Sequence, residues 1–110
     1  RKFNIKNFYA GIARFDFKDL CNKNIGAEDY IKIANVCNFI IIENLPNFSD
    51  NNSNQQQRFI TLIDIIYEKK IRIAVSSASS LNDITSSNSL LELFKRTSSR
   101  LHELTSNIKY

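Results

Sequence analysis

Two short apolar runs with a helical pattern between them constrain this chain more than any other feature. Phe39, Ile40, Ile41 and Ile42 are consecutive, and Ile71, Ile73, Ala74 and Val75 are interrupted only by Arg72. Unbroken β-branched runs are expected of strands covered on both faces, and such strands usually run parallel. Between them Phe59, Leu62, Ile63, Ile66 and Tyr67 recur at helical spacing, Ile60 widens the apolar arc, and Arg58, Thr61, Asp64 and Glu68 share the opposite side. Parallel neighbours need a crossover. The stretch from Phe39 to Ser77 therefore predicts a central parallel β-α-β unit with its helix packed over the sheet.

In open α/β sheets ligands gather beyond the carboxyl ends of the strands. Here those ends carry Glu43 and Asn44 after the first run, and Ser76 and Ser77 after the second. The sequence also allows Glu43 to be a solvated loop acid and Ser76 a turn or capping residue.

A length of 110 residues fits one domain or part of one, and with 43% hydrophobic residues no run is long enough to cross a membrane. The chain begins without Met and without a basic-then-apolar leader, so neither a secretory signal nor an intact natural N-terminus is expected. Cys21 and Cys37 form no CxxC pair and His102 is the single histidine, which leaves a zinc site short of ligands. No metal is expected, and the cysteines read as buried, reduced thiols of a cytosolic chain. A Cys/His nucleophilic pair would lack a residue to orient His102. The net charge of +4 comes without the aromatic-basic motif of a single-strand binder, so there is no strong nucleic-acid signal.

On the N-terminal side, Lys2–Lys6 alternates, and Gly11–Phe17 alternates again with Ala13, Phe15 and Phe17 on one side. Two edge-type strands forming a short hairpin are predicted. An amphipathic helix follows, with Tyr30, Ile33, Ala34 and Cys37 on its inner face and with Gly26, Glu28 and Asp29 at its positive end. Metal binding by Glu28 and Asp29 would need more carboxylates than this stretch supplies. Ser49–Gln57 reads as a polar, mobile linker, too long for an ordinary strand-to-helix link. Ser76–Ser89 reads as a loop with a short helical turn anchored by Leu81 and Ile84. A last helix is expected from about Lys95 to Asn107, with Phe94, Leu101, Leu104 and Ile108 facing the core.

Arg96 and Arg100, one turn apart on that helix, repel by a few tenths of a kcal/mol when exposed. They are more useful with an anion between them. A carboxylate, for example Glu103 or an acid elsewhere, would serve structure and a nucleotide phosphate would serve catalysis, since the guanidinium fork fits both.

Three ordered segments carry a family resemblance. They are Phe17, Leu20 and Cys21 followed by Gly26, Ala27, Asp29 and Tyr30; then Arg58, Phe59, Ile60, Leu62, Ile63 and Asp64; then Arg96, Thr97, Ser99, Arg100 and Leu101. In this order, and from about Gly11 to the end, the chain resembles the C-terminal portion of the ZapE-type cell-division ATPases, which share a family with mitochondrial AFG-type ATPases. It departs from the pattern at Ser79, Ser80 and Leu81, where relatives tend to carry prolines, and at Glu92, where a large apolar residue is usual.

The resemblance implies an α/β fold: a partial P-loop NTPase-like sheet with a central parallel β-α-β unit, flanking helices and a short N-terminal hairpin. It implies ATP and magnesium in the full-length family, and cell division through the tubulin-like ring protein or mitochondrial quality control. No GxxxxGK[ST] loop and no apolar strand ending in paired acids occurs in the 110 residues. Residues 1–110 are therefore expected to be a single partial domain without the Walker A and Walker B half, inactive alone and needing no cofactor by itself. Its expected partner is that half or a neighbouring subunit, and its expected location is the bacterial cytoplasm, peripheral at the division site. Arg96 and Arg100, with Arg58 as a third, are the candidate phosphate-sensing or arginine-finger residues. A free-standing interaction module that has lost nucleotide chemistry is the alternative.

Overall fold

The computed structural model describes residues 7–21 and 24–106. In chain order these form strands β1 (Asn7–Tyr9) and β2 (Ile12–Asp16), helices α1 (Phe17–Leu20) and α2 (Ala27–Val36), strand β3 (Phe39–Leu45), helix α3 (Ser53–Glu68), strand β4 (Arg72–Ser77) and helix α4 (Leu91–Ser106). Short 3-10 turns stand at Asp50–Asn52, Leu81–Asp83 and Asn88–Leu90. The sheet order is β1-β2-β3-β4, with β1 antiparallel to β2 and the other two pairs parallel. The predicted β-α-β unit is present, with Ile40 beside Ile73 and Ile42 beside Val75.

The hairpin exists but sits one step along from its expected place. Lys2–Lys6 lies outside the described residues, and β1 pairs with β2 across a two-residue turn in which Ala10 (φ 52) and Gly11 (φ 82) are both left-handed. That turn type matches the twist of the strands it joins. Gly11 is needed there for a second reason. Its carbonyl accepts from the backbone amides of Asn38 and Phe39, at 2.8 and 3.3 Å, and a Cβ would stand 2.1 Å from Asn38 Oδ1. Only β1 is an edge strand of this pair. β2 is an interior strand parallel to β3, a correction the alternating pattern of Gly11–Phe17 could not supply, because half-buried interior and edge strands alternate alike.

Register puts Ala13, Ile40 and Ile73 side by side, then Phe15, Ile42 and Val75. These residues face the helices, and together with Tyr30, Ile33, Phe59, Ile63, Phe94 and Leu101 they make one core. The other sheet face carries Ile12, which is 46% exposed, the exposed Arg14 and Arg72, and the half-buried Phe39, Ile41 and Ala74. Among the described residues the helices cover the isoleucine runs on one face and leave the other half-buried, where full coverage of both was expected.

The helix faces follow the sequence. Tyr30, Ile33, Ala34 and Cys37 are buried, and Asp29 caps α2 by accepting from the Gly26 amide at 3.0 Å. On α4, Phe94, Leu101 and Leu104 are buried; Ile108 lies outside the described residues. Helix α4 starts at Leu91, four residues before its expected start.

The polar connection needs a larger correction. Ser53–Gln57 is the first turn of α3, not a linker, and Gln56 is fully buried. Gln56 Nε2 donates to Ser86 Oγ at 2.7 Å and its Oε1 accepts from the Ser87 amide at 3.1 Å. Thr85 ties to Phe48 through both main chain and hydroxyl, and Asp50 accepts from the Asn88 amide at 2.9 Å. The two polar loops that follow β3 and β4 therefore satisfy each other's hydrogen bonds. Leu81 and Ile84 anchor the second against the core as the sequence suggested.

Candidate functional site

Polar and cationic side chains gather in two places. The first is a clamp between α3 and α4. Arg100 Nη1 lies 2.6 Å from Asp64 Oδ1, and Arg96 Nη2 lies 3.4 Å from Asp64 Oδ2, so the anion between the two arginines is a carboxylate of α3. The two contacts are unequal. Arg100 also lies over the Tyr67 ring, 4.6 Å from its centroid, and its side chain is 29% exposed against 52% for Arg96. A flat guanidinium held by a carboxylate and an aromatic face is well fixed, while a half-exposed one at 3.4 Å keeps its freedom. Tyr67 donates its hydroxyl to Glu103 at 3.0 Å, which pushes the phenol's pKa up because ionisation would break that bond beside a carboxylate.

The second place lies beyond the carboxyl ends of β2 and β3. A crevice of about 570 Å³ is lined by Phe17, Lys18, Asn44, Pro46, Asn52, Gln55 and Arg58. One wall is Phe17, whose ring packs behind it on Phe48 at 5.7 Å and Phe59 at 6.0 Å between centroids. Asn44 organises the rim. It adopts a left-handed backbone (φ 63), a conformation asparagine tolerates better than most residues, at the irregularity in β3–β4 pairing between Ile42 and Leu45. Its amide nitrogen donates to Ser76 Oγ at 3.0 Å and its side chain donates to Asp16 Oδ1 at 2.6 Å. The Asn44 side chain and the Lys18 backbone amide together hold the Asp16 carboxyl below the usual range. Glu43 pairs with Arg14 at 3.7 Å. Among the described residues neither Lys18 nor Arg58 makes an ion pair.

The structure thus separates the five sequence candidates into three settings. Arg96 and Arg100 meet at Asp64, Arg58 lines the crevice, and Glu43 and Ser76 are occupied by Arg14 and by the Asn44 amide. Asn44, Lys18 and Asp16 were not singled out with Arg58. Asn44 alone left a sequence signal, an asparagine directly after a strand.

Thiol chemistry is not poised here. Burial pushes the Cys21 thiol up to about 12 and raises Cys37 as well, so neither is a ready thiolate. Burial also raises the Tyr30 phenol, whose hydroxyl donates to the Leu20 carbonyl at 2.8 Å. Among the described residues no group of three or more His, Cys, Asp or Glu side chains could hold a metal ion. Guanidinium and ammonium groups are of the chemical type that donates to phosphate oxygens, and among the described residues no carboxylate set for magnesium is assembled. No helix among them is long and apolar enough to cross a membrane.

The four-stranded α/β sheet with its parallel core is consistent with a P-loop-like fold. Comparison with known proteins gives the particular group: the chain belongs to the AFG1-like ATPase family, whose model matches residues 1–109. It is 35% identical to lactation elevated protein 1 homolog B of Danio rerio over 68% of this chain and 15% of that protein. It is 29% identical to the cell division protein ZapE of Escherichia coli K12 over 82% of this chain and 24% of that one, and 29% identical to protein C115.02c of Schizosaccharomyces pombe over 76% and 18%. The chain therefore spans less than a quarter of the length of these curated relatives. No solved structure gives a significant match.

Proposed function

We propose that these 110 residues form the accessory side of an AFG1-like ATPase, bracing the nucleotide machinery and offering it an arginine, with the phosphate-cradling loop supplied by residues outside this sequence. The observation that carries this reading is the unequal clamp. Asp64 fixes Arg100 tightly and Arg96 loosely, so Arg96 can leave its carboxylate for a phosphate without unseating α4 from α3. A guanidinium offered to the transferring phosphoryl group neutralises charge that develops only in the transition state. Magnesium and the Gly-rich loop, where present, neutralise the ground-state phosphates. The chain by itself supplies neither and is expected to leave ATP intact.

The test uses a full-length AFG1-like ATPase carrying Arg96→Ala at the matching position. The expected result is a kcat lowered about 10²-fold or more with KM little changed, the pattern of an interaction made only in the transition state. Arg100→Ala should lower Tm. Unchanged ATPase activity in the Arg96→Ala enzyme would overturn the arginine role. Hydrolysis of ATP by the 110-residue chain alone would overturn the division of labour. The cell-division relative supports a role in cell division; a place in the bacterial cytoplasm at the division site, with the tubulin-like ring protein as partner, belongs to the proposal, and co-sedimentation of the full-length protein with that polymer tests it.

A further inference from the structure

We infer that the sheet face turned away from the helices is a stacking platform for single-stranded nucleic acid. Strand register lines up Tyr9, Ile12, Phe39 and Arg72 in one row across β1 to β4, and Asn7, Arg14, Ile41 and Ala74 in the next. The first row offers two rings and a cation. Tyr9 is 83% exposed, Phe39 is half-buried, and Arg72 is exposed and makes no ion pair among the described residues. Neighbouring strands lie about 4.8 Å apart, so Tyr9 and Phe39 stand about 10 Å from each other with Ile12 between them, which leaves room for a base on each ring. No contiguous stretch of sequence carries this aromatic and basic set, because its members come from four strands and meet only through pairing.

The charge on the face has a direction. Arg72 shares with Lys70 a hollow of about 280 Å³ at the start of β4, where Glu103 is engaged by the Tyr67 hydroxyl. The acids of the face stand beyond Arg14 at the other end: Asp16 and Glu43 are register partners, the first accepts from Asn44 and the second faces Arg14 at 3.7 Å. The positive end is therefore the one beside the exposed ring row. A polypeptide laid over this row would have to bring acids for Arg72 and Lys70, whereas a nucleotide strand brings a phosphate for each cation and a π-face for each ring. The net charge of +4 acts in the same sense.

Fluorescence anisotropy of a labelled oligothymidylate of about 12 nucleotides, titrated at low salt with the 110-residue chain, tests the inference. Saturable binding is expected, at least tenfold tighter than to a duplex of about the same length. Tyr9→Ala should weaken it about fivefold or more, and Arg72→Gln about threefold with a shallower salt dependence, with circular dichroism unchanged in both. Lys95→Gln removes an exposed charge on α4 and should leave binding within twofold. The inference falls if no binding saturates, if the duplex binds as tightly, if Tyr9→Ala stays within twofold of the parent chain, or if Lys95→Gln weakens binding as much as Arg72→Gln. It falls too if a full-length AFG1-like ATPase carrying this sequence fails to bind the oligonucleotide, since a protein segment then covers the face. None of these substitutions touches Arg96 or Asp64, so this inference and the arginine role in ATP hydrolysis fail separately.

Discussion

The clamp and the crevice hold arginines on the same helix pair and loop region, yet they treat the charge in opposite ways. In the clamp, Arg100 has a carboxylate at 2.6 Å and an aromatic face under it. In the crevice, Arg58 makes no ion pair among the described residues. A paired, partly desolvated arginine is stabilising because the partner replaces lost water; an unpaired one costs some desolvation and is tolerated where a ligand can complete it. The same residue type therefore braces the fold in one place and leaves an unfilled need in the other.

The sharpest way to break this contrast is to remove the shared acid. Asp64→Ala leaves two guanidinium groups one turn apart with no anion between them. It should destabilise the chain by about 1–2 kcal/mol, less than the roughly 3–5 kcal/mol of a fully buried pair because both arginines and the acid keep part of their exposure. For a domain of this size that lowers Tm by roughly 5–10 °C. A change below 2 °C in a thermal melt would mean that the clamp is no brace.

The next effect separates the two clamp arginines. Arg100→Gln should cost about 1 kcal/mol, since it loses both the 2.6 Å contact and the Tyr67 ring. Arg96→Gln should stay within about 0.5 kcal/mol, as for an exposed pair. Equal costs in urea denaturation would remove the reason for assigning the mobile role to Arg96.

Arg58→Gln sharpens the contrast from the other side. With no ion pair to lose, it should shift stability by less than about 0.5 kcal/mol in either direction. A loss above about 1 kcal/mol would make Arg58 a structural pillar like Arg100, and the crevice would then have no unsatisfied charge to offer.

How much of this was legible in the sequence depends on the distance over which each feature is encoded. The β-α-β unit, the inner face of α2 and the core face of α4 were readable because period and apolar type are local signals. The hairpin's strand β2 was misplaced at an edge because alternation reports a half-buried face and says nothing of how many neighbours a strand has. Gln56 was read as part of a solvated run, since the backbone and hydroxyl groups it satisfies come from Ser86 and Ser87, 30 and 31 residues on. At the candidate sites, Arg96 and Arg100 announced themselves by spacing. Their partner Asp64 did not, although its motif was noted, because an acid 32 to 36 residues away is matched to them only by the packing of α3 on α4. The crevice was half legible. Rules for open sheets pointed to the strand ends and to Glu43 and Ser76, but the cations that matter enter from α1 and α3.

The smallest expected effect concerns Asp16, the acid nearest the crevice, and it tests whether that acid is truly occupied. Asn44 Nδ2 at 2.6 Å and the Lys18 amide at 3.0 Å both donate to the carboxylate form and lower its pKa in the folded chain. A depressed folded pKa means that the stabilisation is fully present above the unfolded value near 3.8 and is lost as pH falls through the folded value. The Tm difference between the native chain and Asp16→Ala should therefore be constant from neutral pH to about pH 5 and shrink toward zero in stronger acid. Asn44→Ala should reduce that difference while leaving its sign. Because the carboxyl group lies at the partly exposed rim, solvent screens the effect and it will be small. A difference independent of pH down to the acid limit would show that the carboxylate's charge is not spent on these two donors. Asn44 would then hold the rim through Ser76, and the edge of the crevice would owe nothing to the Asp16 charge.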